Sequence, residues 1–333
     1  MNMAFAEKLI IEHGYKLIEN TGIILNSDGE LIEDLVYTPR QLANYFDARD
    51  VHVSVQDLPN VNDPSFVEKI SNDSDIAVAY NIRSLQILEQ EAIDAFKALK
   101  ADLGVMAFVT DIVPDDILEA PTRGTIQYHP SLLPKHRGPS SINWPIIQGE
   151  SETGLTIFWP DKGLDTGPVL LQKTIEIGPD DTLGSVYFDK LFPMGVAALA
   201  EAVGMVSGGN APKLVQDESN ATYEGWCRAA DVSIDWSSPA SEIYNLIRGS
   251  DPSPGATTTI NGESIQFFRT SIRPGDSGKQ PGEVIEVADD GFSVASQGGA
   301  LFVQRVQPAG SGKVMAPEWI QAVGLKAGAR FGT

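Results

Sequence analysis

Gln127-Tyr128-His129-Pro130-Ser131-Leu132-Leu133-Pro134-Lys135-His136-Arg137-Gly138 decides how the chain is read. An apolar, strand-like run, Gly124 to Tyr128, ends on an imidazole, and two prolines and a glycine follow. Proline fixes φ and removes an amide donor, so no helix runs through Pro130 or Pro134. The pattern predicts a strand that delivers His129 into a rigid loop. Asp161-Lys162-Gly163-Leu164-Asp165-Thr166-Gly167 then forms a Gly-rich turn that presents Asp165, thirty-six residues after His129. A carboxylate beside an imidazole raises the imidazole's pKa and orients the ring, which suits general acid/base work near neutral pH.

Around this centre, strands alternate with helices, as in an open α/β sheet whose ligands sit at the strands' carboxyl ends. Glu89 to Leu103 has the period of an amphipathic helix, with Ala92, Phe96 and Leu99 on one face and Gly104 placed to stop it. Val105 to Thr110 reads as a buried strand, and Asp111-Ile112-Val113-Pro114 as the loop at its edge. Ser140 to Gln148 is a short helix ended by Gly149, and Leu155 to Trp159 a further strand. Leu183 to Val206 is a long helix in which Pro193 predicts a kink or break.

The first hundred residues are less regular. Phe5 to Ile18 has helical apolar spacing, Asn26-Ser27-Asp28-Gly29 signals a hairpin turn, and Val51 to Val55 alternates as a strand. Ser65 to Ile70 reads as a short helix and Ile76 to Tyr80 as another strand. Beyond a Gly/Pro stretch at Ser207 to Pro212 the character changes. Ser264 to Phe268, Glu283 to Val287, Phe292 to Ala295 and Leu301 to Val306 are short strand patterns separated by Gly/Asp turns, the sign of a small β-barrel.

Composition narrows the function. The 333 residues suggest two domains, and 42% hydrophobic with 21% charged residues is a globular balance. No stretch reads as the long uncharged run of a membrane helix, and residues 1 to 12 lack the apolar core of a signal peptide. The single cysteine, Cys227, reads as a packing residue and fits a reducing cytoplasm. The net charge of −21 counts against a nucleic-acid partner, which needs a basic footprint on phosphates.

Bland readings stand beside the chemical ones. His129 taken alone is a core histidine bonded to backbone, and Asp161, which opens its turn, suits a structural cap better than Asp165 does. A zinc site on His129 and His136 lacks a third ligand at the usual spacing. A Ser131-His129-Asp165 triad lacks the strained nucleophile elbow. No Gly-rich dinucleotide or Walker loop occurs.

The run from about Ala101 to Gln172 resembles the folate-dependent formyltransferase family. Its Tyr-His-Pro-Ser-Leu-Leu-Pro-x-His-Arg-Gly motif is most similar to the hydrolase domain of the 10-formyltetrahydrofolate dehydrogenases. The resemblance implies that His129 and Asp165 are the family's catalytic pair. Gln127 stands where most transferases have Asn and where the hydrolase domain has an aliphatic residue. As the family's Asn does, it would donate to the formyl oxygen. Gln216-Asp217-Glu218 to Tyr223-Glu224 resembles the family's interdomain linker, and Ile234-Asp235-Trp236 and Ile247-Arg248-Gly249 the start of its C-terminal domain.

The implied fold is an open Rossmann-like, mostly parallel sheet over residues 1 to 215, a linker over 216 to 232 and an OB-like barrel over 233 to 333. The implied donor is 10-formyltetrahydrofolate, with no metal. Its pterin would contact Phe108, Val109, Ile112, Val113, Leu132, Asp161 and Leu164. The implied reaction removes the formyl group, to water or to a small amine. Formylation of methionyl-tRNA and non-catalytic folate binding are the alternatives.

Overall fold

A computed structural model describes residues 16–17, 23–25, 31–36, 90–107, 109 and 112–332. The chain divides into two compact units, Met1–Ala92 and Ile93–Thr333. In the first, β1 (Lys16–Leu17), β2 (Ile23–Leu25) and β3 (Leu31–Val36) form an antiparallel sheet. The β2–β3 pair brackets residues 26 to 30 as the turn signal requires. Lys16–Leu17 pairs with Ile24 and Leu25, so the helix expected over Phe5 to Ile18 does not reach its end. The rest of that expectation, and those over Val51 to Val55, Ser65 to Ile70 and Ile76 to Tyr80, lie outside the described residues.

Helix α1 (Gln90–Ala98) stops six residues before Gly104, which instead opens β4 (Gly104–Met106) of the second unit. Ile93 is buried, whereas Leu99 lies beyond the helix and is exposed. Val105 is also exposed, because β4 is three residues long and ends the described sheet. That sheet has the order β4–β5–β6–β7, with β5 at Thr125–His129, β6 at Glu152–Phe158 and β7 at Val169–Glu176. Only β4–β5 is parallel; β5–β6 and β6–β7 are antiparallel. The described sheet is therefore mixed rather than mostly parallel. Antiparallel neighbours need no crossover unit between them; residues 130 to 151, which include a short helix, join β5 to β6, and the ten residues 159 to 168 join β6 to β7. β7 was not expected; its alternating burial from Leu171 to Glu176 is the signal that marks it.

β6 is buried along nearly its whole length. Helices cover the sheet: α2 (Asp115–Leu118) near β4, α3 (Asn143–Ile147), and a long helical stretch from Leu183 to Ser207. That stretch begins as α4 (Leu183–Ser185), widens into a π turn at Val186–Leu191 and continues as α5 (Phe192–Ser207). Pro193 sits in the first turn of α5. Its missing N–H and its ring disfavour an unbroken α-helix, and the expected break falls just before it. By length and composition alone this stretch is apolar enough to cross a membrane, contrary to the reading of the sequence. It nevertheless carries Asp189 and Lys190. It also packs Val186, Leu191, Ala198, Ala202 and Val206 into the same core as Ile126, Leu155, Ile157 and Leu170.

Helix α6 (Ala240–Gly249) leads into the C-terminal sheet. The order is β10 (Val284–Ala288), β11 (Gly291–Ser296), β12 (Gly299–Pro308), β9 (Glu263–Pro274), β8 (Ala256–Ile260), all antiparallel, with β13 (Val314–Met315) on β12. All four expected strands are present; β8 and β13 are additional. Residues 328 to 332 bond both to Thr259 beside one edge and to Gly282 and Val284 at the other, so the last residues bridge the sheet's two edges. Trp236, Phe267, Phe292, Trp319 and Phe331 fill its interior, with Phe292 and Phe331 stacked at 5.6 Å. Helix α7 (Ala316–Val323) caps this core through Trp319.

Candidate active site

His129 is the last residue of β5 and is buried. Pro130 and the loop to Ser141 turn the chain back over the sheet. Ser131 Oγ donates to Lys135 O at 2.6 Å, so this hydroxyl closes the loop and does not face His129. Thr156 of β6 ties the same loop down: its Oγ1 donates to Ser131 O at 2.7 Å and accepts from Leu133 N at 3.1 Å. The loop then reaches His136, whose φ of 54° turns its carbonyl towards the ring of His129. His129 Nε2 lies 2.9 Å from that carbonyl oxygen. A carbonyl only accepts, so Nε2 carries the proton and Nδ1 is the basic nitrogen.

Asp165 supplies the charge. Its Oδ2 lies 3.6 Å from His129 Nδ1, and both side chains are only 7% exposed. The backbone N–H of Gly138 donates to the same oxygen at 2.8 Å. Glycine is required at two nearby points. A Cβ on Gly138 would sit 2.3 Å from Glu224 O, at a φ of +108°. A Cβ on Gly167 would sit 1.8 Å from Trp159 O. Both contacts are far inside van der Waals range, so the His-Arg-Gly and Asp-Thr-Gly signatures are close-packing requirements.

Burial pushes the His129 imidazole below its ordinary pKa. The Asp165 carboxylate and the bond to the His136 carbonyl pull it partly back, and the nearby His136 ring opposes them. The result is a neutral base at pH 7 facing a carboxylate that stabilises its protonated form. The proximity expected of the pair from sequence is thus present, in a buried setting.

The other expected residues fall into groups. Gln127 lies two residues before His129, so its side chain leaves the same face of β5, half-buried. Asp161 Oδ1 accepts from Gly163 N at 3.0 Å and from Thr166 Oγ1 at 2.6 Å. It closes its own turn, the structural role foreseen for it. Lys162 Nζ lies 3.4 Å from Oδ2 of Asp115, the first residue of α2, both side chains being largely exposed. Val109 and Ile112 on that loop and Leu164 on the turn are exposed, and Val113 is half-buried. Phe108 lies outside the described residues. Leu132 sits elsewhere, against Gly154 of β6. It lines a groove of about 490 Å³ with Lys135, His136, Glu150, Glu152 and Thr153.

His136 itself is clamped, with Nε2 3.0 Å from Glu150 Oε1 and Nδ1 3.2 Å from Glu224 Oε2. Burial, with Asp231 nearby, pushes the Cys227 thiol up to about 11, so it is protonated at pH 7 and suits packing rather than attack. The sequence reading missed Gln216, Thr222 and Glu224, which reach back to the His136–Gly138 loop. The only signal was their place beside the linker resemblance.

Comparison with known proteins gives the family. Residues 39–203 match the family described as Formyl transferase, and residues 227–324 match Formyl transferase, C-terminal domain. The chain is 32% identical over 269 residues to methionyl-tRNA formyltransferase of Geobacter sulfurreducens, covering 81% of this chain and 83% of that protein. The chain belongs to the formyl transferase family. It is also 42% identical over 198 residues to human mitochondrial 10-formyltetrahydrofolate dehydrogenase, covering 60% of this chain and 21% of that protein. It therefore spans about a fifth of the length of such dehydrogenases. Among solved structures, HypX from Aquifex aeolicus in complex with tetrahydrofolic acid aligns with a TM-score of 0.58 at 21% identity, covering 68% of this chain and 40% of that one. That likeness is one of fold. His129, Asp165 and Gln127 all fall within the first matched region.

Proposed function

We propose that this member of the family removes the formyl group of 10-formyltetrahydrofolate and passes it to water or a small amine. The observation that carries the reading is the buried His129–Asp165 pair, held at 3.6 Å by two loops. Names of relatives support the donor. The methionyl-tRNA enzyme and the 10-formyltetrahydrofolate dehydrogenases share this family's sequence, and a fold relative was solved with tetrahydrofolic acid. A flat heterocycle between the loop after β4 and the Asp161 turn would cover Val109, Ile112 and Leu164, whose exposure is otherwise costly.

The chemistry follows from the pair. His129 Nδ1 takes a proton from the attacking water or amine as it adds to the formyl carbon. The imidazolium so formed faces Asp165, which stabilises it more than it stabilises the neutral ring. Gln127, on the same strand face, has an amide N–H to donate to the developing charge on the formyl oxygen. His129 then returns the proton to the folate nitrogen as its bond to the formyl carbon breaks. With water, the products are tetrahydrofolate and formate.

The test is turnover. His129→Ala and Asp165→Ala should each slow tetrahydrofolate release about 10²–10⁴-fold, as loss of a positioned acid/base does. The double variant should lose little more than the worse single one, since paired groups act as a unit. Independent, multiplying losses would separate the two roles. No binding in a titration with 10-formyl-5,8-dideazafolate would remove the donor. A second reading, methionyl-tRNA formylation, has one observation in its favour: the relative of that name matches over both halves of the chain.

A further inference from the structure

The segment from Gln216 to Glu224 resembles a linker, yet it is built into the site. Gln216 is buried, and its amide is saturated. Nε2 donates to Asp165 O at 2.9 Å and to Gly167 O at 2.7 Å. Oε1 accepts from Arg137 Nη2 at 2.8 Å and from Arg137 Nε at 3.3 Å. Two donors and two lone pairs are the full capacity of a carboxamide. Arg137 also donates to Glu218, at 2.7 Å and 2.9 Å. Its backbone is fixed as well: Arg137 N donates to Thr222 O, and Arg137 O accepts from Glu224 N, each at 3.1 Å. His136 N donates to Thr222 Oγ1 at 2.8 Å.

One side chain thus grips both catalytic loops. Through Arg137 it holds the loop whose preceding residue, His136, fixes the His129 tautomer. Through two carbonyls it holds the turn that presents Asp165. That turn needs holding, because Asp165 has a φ of 57°, which a non-glycine residue keeps only where its surroundings impose it. We propose that Gln216 is the positioning residue that sets the separation of His129 and Asp165. The inference rests on the reading of those two as the acid/base pair.

Gln216→Met removes the amide and adds no charge. The folded variant is expected to lose about 10²-fold in kcat, the scale of a small misplacement at a reacting centre, while KM for 10-formyltetrahydrofolate stays nearly constant. The acid limb of its pH–rate profile should move to lower pH, because a receding Asp165 carboxylate no longer raises the His129 pKa. A packing role alone would move stability and leave that limb in place. Gln216→Glu keeps the length and the oxygen facing Arg137 but turns an acceptor towards two carbonyls, so its kcat should fall as far.

A folded variant of either kind with native kcat, or with only KM raised, overturns the inference. So does an unmoved acid limb in Gln216→Met. If neither variant folds, the native protein carries the test. The ¹⁵N-labelled Gln216 carboxamide should then shift across the His129 titration, and pH-insensitive resonances would overturn the proposal. Native kcat in Gln216→Met beside an inactive His129→Ala sinks this inference alone, whereas an active His129→Ala sinks the reading beneath it.

Discussion

At the scale of single residues, His129 is caught between burial, which favours its neutral ring, and Asp165, which favours the charged one. Burial is the larger effect, so the pKa lies below the ordinary value near 6.5. The sign of the pH dependence follows. A general base works only when neutral, so kcat/KM should rise with pH through the lowered His129 pKa and level off by neutrality. Asp165→Asn removes the main influence holding that pKa up. Its acid limb should therefore lie at still lower pH than the native limb, while its plateau rate falls because the imidazolium loses its counter-charge. Profiles of the native protein and of Asp165→Asn measure this directly. An acid limb that moves to higher pH, or stays, would show that Asp165 does not act on His129.

At the scale of elements, the strand that ends on His129 and its loop were legible because their residues leave little choice. An apolar run ending at His129, followed by Pro130 and Pro134, yields β5 and a rigid loop on local grounds alone. Gly167 is the clearest case of a residue fixed by an element's geometry. Its Cα packs against Trp159 O, where a Cβ would overlap at 1.8 Å, so Gly167→Ala must push the Asp161–Gly167 turn outward. The expected cost is roughly 1–3 kcal/mol, a melting shift of several degrees for a domain of this size. The loss of turnover should be larger, because Asp165 moves with the turn. A thermal melt and a rate assay on one preparation check both, and a native rate would mean that the turn does not set the position of Asp165.

What stayed illegible had no local signature. The antiparallel pairing of β5 with β6 depends on tertiary contacts, and Leu155 to Trp159 reads the same in either direction. Helix α1 stops at Ala98 although its pattern runs on to Leu103, for apolar spacing does not mark a terminus. Gln216 looks like any polar linker residue until its three partners, Arg137, Asp165 and Gly167, distant in sequence, are brought around it.

At the scale of the whole molecule, the open question is what receives the formyl group, and charge and architecture pull in different directions. Net charge is −21, and nucleic-acid affinity rests on cations displacing counterions from phosphates. The prominent cation beside the site is unavailable for that work, because Arg137 is buried and paired with Gln216 and Glu218. Lys135 is exposed beside Glu150 and Glu152 in the groove, a setting that favours a cationic amine over a phosphate. Against this stands the match over both halves to a methionyl-tRNA formyltransferase. The charge argument is the more physical of the two, since a shared C-terminal sheet does not by itself define an acceptor. The expected outcome is measurable tetrahydrofolate release from 10-formyltetrahydrofolate in buffer alone, faster release with some small amines, and no formylation of methionyl-tRNA. Gln127→Asn should shift the ratio towards amine transfer if the reach of the amide limits it. The measurement is tetrahydrofolate release with and without each acceptor, at low and at physiological salt. Release that is nil in buffer but rapid with charged initiator tRNA, and that weakens steeply as salt rises, would overturn the small-acceptor reading and establish a nucleic-acid substrate.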